Sequence, residues 1–231
     1  MGGEAPWGIT GTVESVALSN FVSTMSSQWT MPIPLSNTGS AAIGSKIYVI
    51  GGYHPYTGTI SDSVQIFDTV SKTWSSGAPL PQPLLQAAVV SVNGKLYVFG
   101  GSNLSSILST TYIYDPVDDS WSSGTAKPSP AAFATATVSA SDTKVTVTGG
   151  FSCDFYGCEQ NIAEIYDTAS DTWTAMVNLK QSRAGAAGAF YKGKHHTLFG
   201  DTLRSSGEDF NGSKWVEAIS SPALYTAKAT E

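Results

Sequence analysis

The sequence predicts an all-β protein, a β-propeller of about five four-stranded blades. Three observations carry this. A hydrophobic strand ends in two glycines at Gly51-Gly52, Gly100-Gly101 and Gly149-Gly150, with a degenerate fourth copy at Gly200-Asp201. An aromatic–Asp pair follows each of the first three, at Phe67-Asp68, Tyr114-Asp115 and Tyr166-Asp167. A tryptophan then closes each unit, at Trp74, Trp121, Trp173 and Trp215, with Trp29 ahead of the first. A period of about 45–50 residues marks a repeat architecture, and period-two hydrophobicity within each unit reads as strands.

The unit Gln86–Pro128 shows the elements most clearly. Ala87–Val92 and Lys95–Phe99 are strands joined at Asn93-Gly94, a two-residue hairpin turn whose residues tolerate positive φ. A polar loop, Ser102–Ser109, leads to a third strand, Thr110–Tyr114. The turn at Asp115–Asp119 leads to a fourth at Ser120–Ser122. Four antiparallel strands make one propeller blade. The other units align: Ser40–Ile43 with Lys46–Ile50, Phe133–Ser139 with Lys144–Thr148, and Gly185–Tyr191 with His195–Phe199 across Lys192-Gly193-Lys194. In this alignment His196 takes the apolar position of Ile47, Leu96 and Val145, and His195 that of Lys46, Lys95 and Lys144. Neighbours in a strand point to opposite faces, so the two histidines read as core and edge groups rather than a metal pair. Asp201 reads as standing in for a second glycine.

Read this way, the chain is one domain. The repeats run roughly 13–37 (partial), 38–85, 86–130, 131–183 and 184–221. In the partial unit Val13–Leu18 is a third strand and Gln28–Met31 a fourth, and 222–231 returns as the inner strand that closes the ring. The alternative is a fragment of a six- or seven-bladed ring.

The double glycines, Tyr/Phe-Asp pairs and spaced tryptophans resemble the kelch repeat of kelch-family propellers, over about residues 38–220. The resemblance implies the fold and leaves function open. Some kelch propellers are copper radical oxidases or sugar-isomerising enzymes. The oxidase needs Tyr, Cys and two convergent His, which the three histidines here do not suggest. In the family, ubiquitin-ligase adaptors depend on added domains, of which this chain shows none.

Charged residues are 13% of the 231, about half the usual share, and net charge is −6, which argues against nucleic-acid binding. No apolar run approaches the ~18 residues of a membrane span, and Met1–Thr10 has no apolar signal core. The two cysteines, Cys153 and Cys158, share one loop. They read as a loop disulfide, which implies an oxidising, secreted or lumenal compartment. Two free thiols, and a cytoplasmic setting, are the alternative. Two N-glycosylation tripeptides occur, Asn103-Leu104-Ser105 and Asn211-Gly212-Ser213.

Function is expected on the loops between second and third strands and between blades, since binding groups gather on loops of a rigid scaffold. These loops carry Tyr53, His54, Tyr56, Leu104, Ile107, Phe151, Phe155, Tyr156, Arg183 and Arg204. Aromatics and arginines are the types that anchor interfaces. A disulfide would hold Phe155-Tyr156 as an ordered knob. Packing of Tyr53 and Phe151 under their own loops is the alternative for those two. On the other face the acids Asp68, Asp115, Asp118, Asp119, Asp167, Asp171 and Asp209 read chiefly as turn residues. No Gly-x-Ser-x-Gly, phosphate loop or zinc spacing occurs, so no catalytic residue, metal or cofactor is assigned. The expected role is a non-enzymatic scaffold for a protein partner, or for a glycan, with no nucleic-acid or membrane-inserting role. A sugar-active enzyme using Glu159, His54, Asp154, Glu164 or Arg183, and a subunit of a larger assembly, are the alternatives.

Overall fold

The computed structural model describes residues 3–5, 8–10, 12–13, 29–138, 143–153, 158–200, 206–210 and 212–220. They are all β and contain four four-stranded antiparallel sheets, each with its strands in chain order. Blade 1 is Gly39–Ile43, Lys46–Ile50, Val64–Asp68 and Thr73–Gly77. Blade 2 is Ala88–Val92, Lys95–Phe99, Thr111–Asp115 and Ser120–Ser123. Blade 3 is Thr135–Val138, Lys144–Thr148, Ala163–Asp167 and Thr172–Ala175. Blade 4 is Ala187–Tyr191, Lys194–Leu198, Ser206–Phe210 and Trp215–Ser220. Ahead of blade 1, Thr12–Val13 pairs with Trp29–Thr30, and Gly3–Ala5 with Gly8–Thr10. Residues 14–28 and 221–231, where further strands were expected, lie outside the described residues.

The chain forms two compact units, Met1–Val98 with Tyr112–Ser123, and Phe99–Thr111 with Gly124–Glu231. In the first, Gly39 lies so close to Val89 that a Cβ would fall 2.2 Å from its methyl group, so the first strands of blades 1 and 2 pack backbone to side chain. Met31, Leu35 and Val49 form a buried cluster against Trp74. In the second unit Gly188 abuts Thr135 and Thr137 in the same manner. Ala163, Leu179 and Trp215 form the corresponding cluster against Met176 and Phe210.

The repeated tyrosine and tryptophan, with the aspartate five residues after the tyrosine, join consecutive blades. The Tyr114 hydroxyl donates to Asp119 Oδ1 at 2.5 Å, and that oxygen also accepts the Ala78 N–H at 2.6 Å. Trp121 Nε1 donates back to Ala78 O at 2.9 Å. In the second unit Tyr166, Asp171 and Trp173 grip Thr125 in the same way, at 2.6, 2.7 and 2.8 Å. Where these blades have Tyr114 with Asp119 and Tyr166 with Asp171, blade 1 has Phe67 with Lys72, and Lys72 Nζ lies 4.9 Å over the Trp29 ring. The repeated aromatics are therefore interface fillers, as their large buried areas allow.

The fourth repeat departs from the expected alignment by one residue. Gly51, Gly100 and Gly149 have φ near +60°, and so does Phe199; Gly200 then takes the second-glycine conformation. A Cβ on Gly52, Gly150 or Gly200 would strike the carbonyl of Ser36, Ala132 or Ala184, three equivalent linker positions. The positions that match the glycine pair in blade 4 are thus Phe199-Gly200, and Asp201, read as a stand-in for the second glycine, lies outside the described residues. The strand pairs Tyr191 with Lys194, so Lys194 matches Lys46, and His195 takes the core position expected for His196. His195 Nδ1 lies 2.8 Å from Thr137 Oγ1 and its Nε2 3.2 Å from Thr146 Oγ1. His196 faces the other way, with Nε2 3.1 Å from Tyr191 O.

Candidate functional site

Each blade is entered by a proline- or serine-containing linker, and one residue of the blade's third strand holds it. That residue lies two before the repeated aromatic: Gln65, Tyr112, Glu164 and Glu208. Gln65 accepts the Ile33 N–H at 2.8 Å and donates to Ile33 O at 3.0 Å. The Tyr112 hydroxyl accepts from Gln82 Nε2 at 2.8 Å. Glu164 accepts the Ser129 hydroxyl at 2.8 Å and pairs with Lys127 Nζ at 2.6 Å. Glu208 accepts the N–H groups of Lys180 and Gln181 at 2.7 and 3.2 Å and pairs with Arg183 Nε at 3.3 Å. Burial pushes the Lys127 ammonium down, while Glu164 pulls it back up. The preceding blade grips the same linkers: Gly52, Gly101 and Gly150 donate to the carbonyls of Leu84, Ala131 and Arg183. The loops next to these linkers therefore spring from braced segments.

Arg183, expected as an exposed anchor, is 1% exposed and inside the second unit. Its Nη1 also donates to Phe199 O at 2.7 Å. A linker that must bury its own backbone needs a buried counter-charge for Glu208, and Arg183 supplies it. Glu164, named for a catalytic alternative, is likewise 4% exposed and engaged by Lys127. These ion pairs escaped the sequence reading, although the aromatic-minus-two position would have located both carboxylates.

Tyr53, His54 and Tyr56 come together in one hairpin, where Tyr53–His54 pairs with Thr59–Ile60. Tyr53 is half-buried and exchanges both backbone bonds with Ser36, at 3.0 and 2.8 Å. The Thr57 N–H donates to His54 Nδ1 at 3.3 Å. The His54 ring meets Tyr56 edge-on at 5.9 Å, and Tyr56 is 75% exposed. In the second unit Leu104 is exposed at the tip of Ser102–Ser109, and Ile107 bridges Ser102. Phe151 bridges Ala132 and Glu159 and packs edge-on against Phe133, which is the under-loop alternative. Cys153 and Cys158 are disulfide-bonded, with Cα atoms 5.7 Å apart. Asp154, Phe155, Tyr156, Asp201 and Arg204 lie outside the described residues.

The turn acids serve their turns. Asp68, Asp115 and Asp167 accept backbone N–H groups two residues on. The Tyr114 hydroxyl and the Ala78 N–H hold Asp119 below the usual carboxylate range, and Tyr166 and Thr125 do the same for Asp171. A folded-state pKa below the unfolded one gives stability that is present above the unfolded value and lost as pH falls through the folded one. Melting temperature is therefore expected to hold near neutral pH and to fall in acid. A chain carrying Asp119→Asn and Asp171→Asn is expected to lose less of its melting temperature between about pH 6 and pH 3. Equal acid losses in both proteins would show that these two groups do not carry the effect.

The family model described as the KLHDC2/KLHL20/DRC7 kelch-repeats domain matches residues 18–200. The chain belongs to the kelch-repeat family. A solved structure, that of YjhT, superposes on this kelch chain with a TM-score of 0.69, over 83% of this chain and 68% of that one, at 20% identity. At that identity the likeness shows the fold alone.

Proposed function

We propose that this kelch chain is a non-enzymatic binding scaffold that presents its second-to-third-strand loops to a protein partner. One observation carries the reading. The charged groups beside these loops, Lys127, Glu164, Arg183 and Glu208, are buried in ion pairs that hold linkers, whereas Tyr56 stands 75% exposed on a hydrogen-bonded hairpin. A pre-ordered aromatic anchor loses little entropy on binding. Family membership supports the same reading, and the Cys153–Cys158 bond supports a secreted or lumenal setting. No helix among the described residues is long and apolar enough to cross a membrane.

The test is quantitative capture of cross-linked, mass-identified partners by the parent and by a chain carrying Tyr56→Ala, Phe155→Ala and Tyr156→Ala. Loss of aromatic anchors is expected to weaken capture at least about tenfold with the melting temperature unchanged. Unchanged capture overturns the assignment of these loops. Capture by immobilised oligosaccharides and not by protein would replace the protein partner with a glycan. Turnover of a sugar substrate that disappears with Glu159→Gln would replace the scaffold with an enzyme.

A further inference from the structure

We propose that Asn103 is an N-glycosylation site. The tripeptide Asn103-Leu104-Ser105 sits at the tip of the loop between the second and third strands of blade 2. Such tripeptides are common by chance, so the loop geometry has to decide. The loop is closed by the bridge between Ser102 and Ile107, and by Leu108 N–H donating to Gly101 O at 2.8 Å. Within it Asn103 Oδ1 accepts two backbone N–H groups, from Ser105 at 3.0 Å and Ser106 at 2.8 Å. Two donors on one atom assign that atom as the oxygen. The amide nitrogen is therefore the other atom, and it makes no hydrogen bond among the described residues.

Nδ2 is the atom that carries the sugar, and the turn does not use it. A glycosylated amide keeps its carbonyl, so both bonds from Ser105 and Ser106 survive the modification. Asn161 shows the contrast: its Nδ2 donates to Leu179 O at 3.1 Å, so that amide nitrogen is engaged by a linker. Leu104, Ser105 and Ser106 are exposed, and Leu104 is 58% exposed at a φ of +65°. A large apolar side chain displayed at a loop tip is the surface that the first sugar residue would cover. The donor is an oligosaccharide carried on a lipid pyrophosphate. Nδ2 bonds to the anomeric carbon, the bond from that carbon to the pyrophosphate oxygen breaks, and the lipid pyrophosphate leaves with the electron pair. One amide proton passes to the base of the transferring enzyme.

The inference rests on the oxidising, secretory setting read from the Cys153–Cys158 bond. Peptide mapping of the protein isolated from its source tests the two separately. The Asn103 peptide is expected as a glycopeptide that shows Asn103→Asp conversion on enzymatic deglycosylation. Secreted from a eukaryotic host, the Ser105→Ala variant is expected to lose that mass increment while keeping the parent's melting temperature. An unmodified Asn103 in protein whose cysteines are bonded overturns the site and leaves the compartment standing. An unmodified Asn103 with reduced cysteines overturns both. Glycan on Asn211 alone also overturns the site.

Discussion

Glu208→Ala is expected to destabilise the protein by about 3–5 kcal/mol, the cost of removing one partner of a buried ion pair. The side chains of Arg183 and Glu208 are 1% and 2% exposed, so solvent cannot replace what is lost. Two backbone donors, Lys180 and Gln181 N–H, lose their acceptor as well. The linker that enters blade 4 would have to open to water. Urea unfolding with an unchanged slope reads the loss directly. Arg183→Met combined with Glu208→Leu is expected to recover only the part owed to the unpaired Arg183 charge, because the Lys180 and Gln181 N–H groups stay without their acceptor. A loss below about 1 kcal/mol for Glu208→Ala would mean the pair behaves as an exposed one.

Gly149→Ala is expected to cost a comparable amount for a different reason. Its φ is +65°, and an added Cβ would sit 2.2 Å from Arg183 O. That oxygen also accepts the Gly150 N–H at 2.6 Å, so the linker cannot retreat without breaking the bond. The left-handed conformation alone costs about 1–2 kcal/mol, and displacing packed backbone adds about 1–3 kcal/mol. Gly193→Ala separates the two terms: its φ is +74° with nothing within 4 Å, so only the conformational term applies. Equal losses at the two glycines would show that the linker does not press on Gly149.

The repeat was legible because its signals are local. Alternation of apolar residues, Asn93-Gly94 and the Tyr114–Asp115–Trp121 spacing each act within one strand pair, and the observed registers follow them. Tyr53, His54 and Tyr56 were legible as a group because one short hairpin carries all three. Arg183 was not, because its surroundings come from Glu208, 25 residues away, and from the carbonyl of Phe199. An arginine in a loop reads as exposed until a buried carboxylate is found opposite it. The fourth repeat misled for a related reason. Both Phe199-Gly200 and Gly200-Asp201 resemble a worn glycine pair, and only the contact of Gly200 with Ala184 selects the first.

From sequence alone come the all-β class, the kelch repeat, the strand order within each blade and the positions of the loops between strands. These follow from patterns within about 10 residues of chain, where side-chain alternation and turn chemistry act. The tertiary structure alone decided which polar groups hold linkers, which glycine approaches which carbonyl, and that Arg183 is interior while Tyr56 is exposed. Burial is a property of what the rest of the chain brings alongside, and here that partner lies a whole strand or a whole blade away.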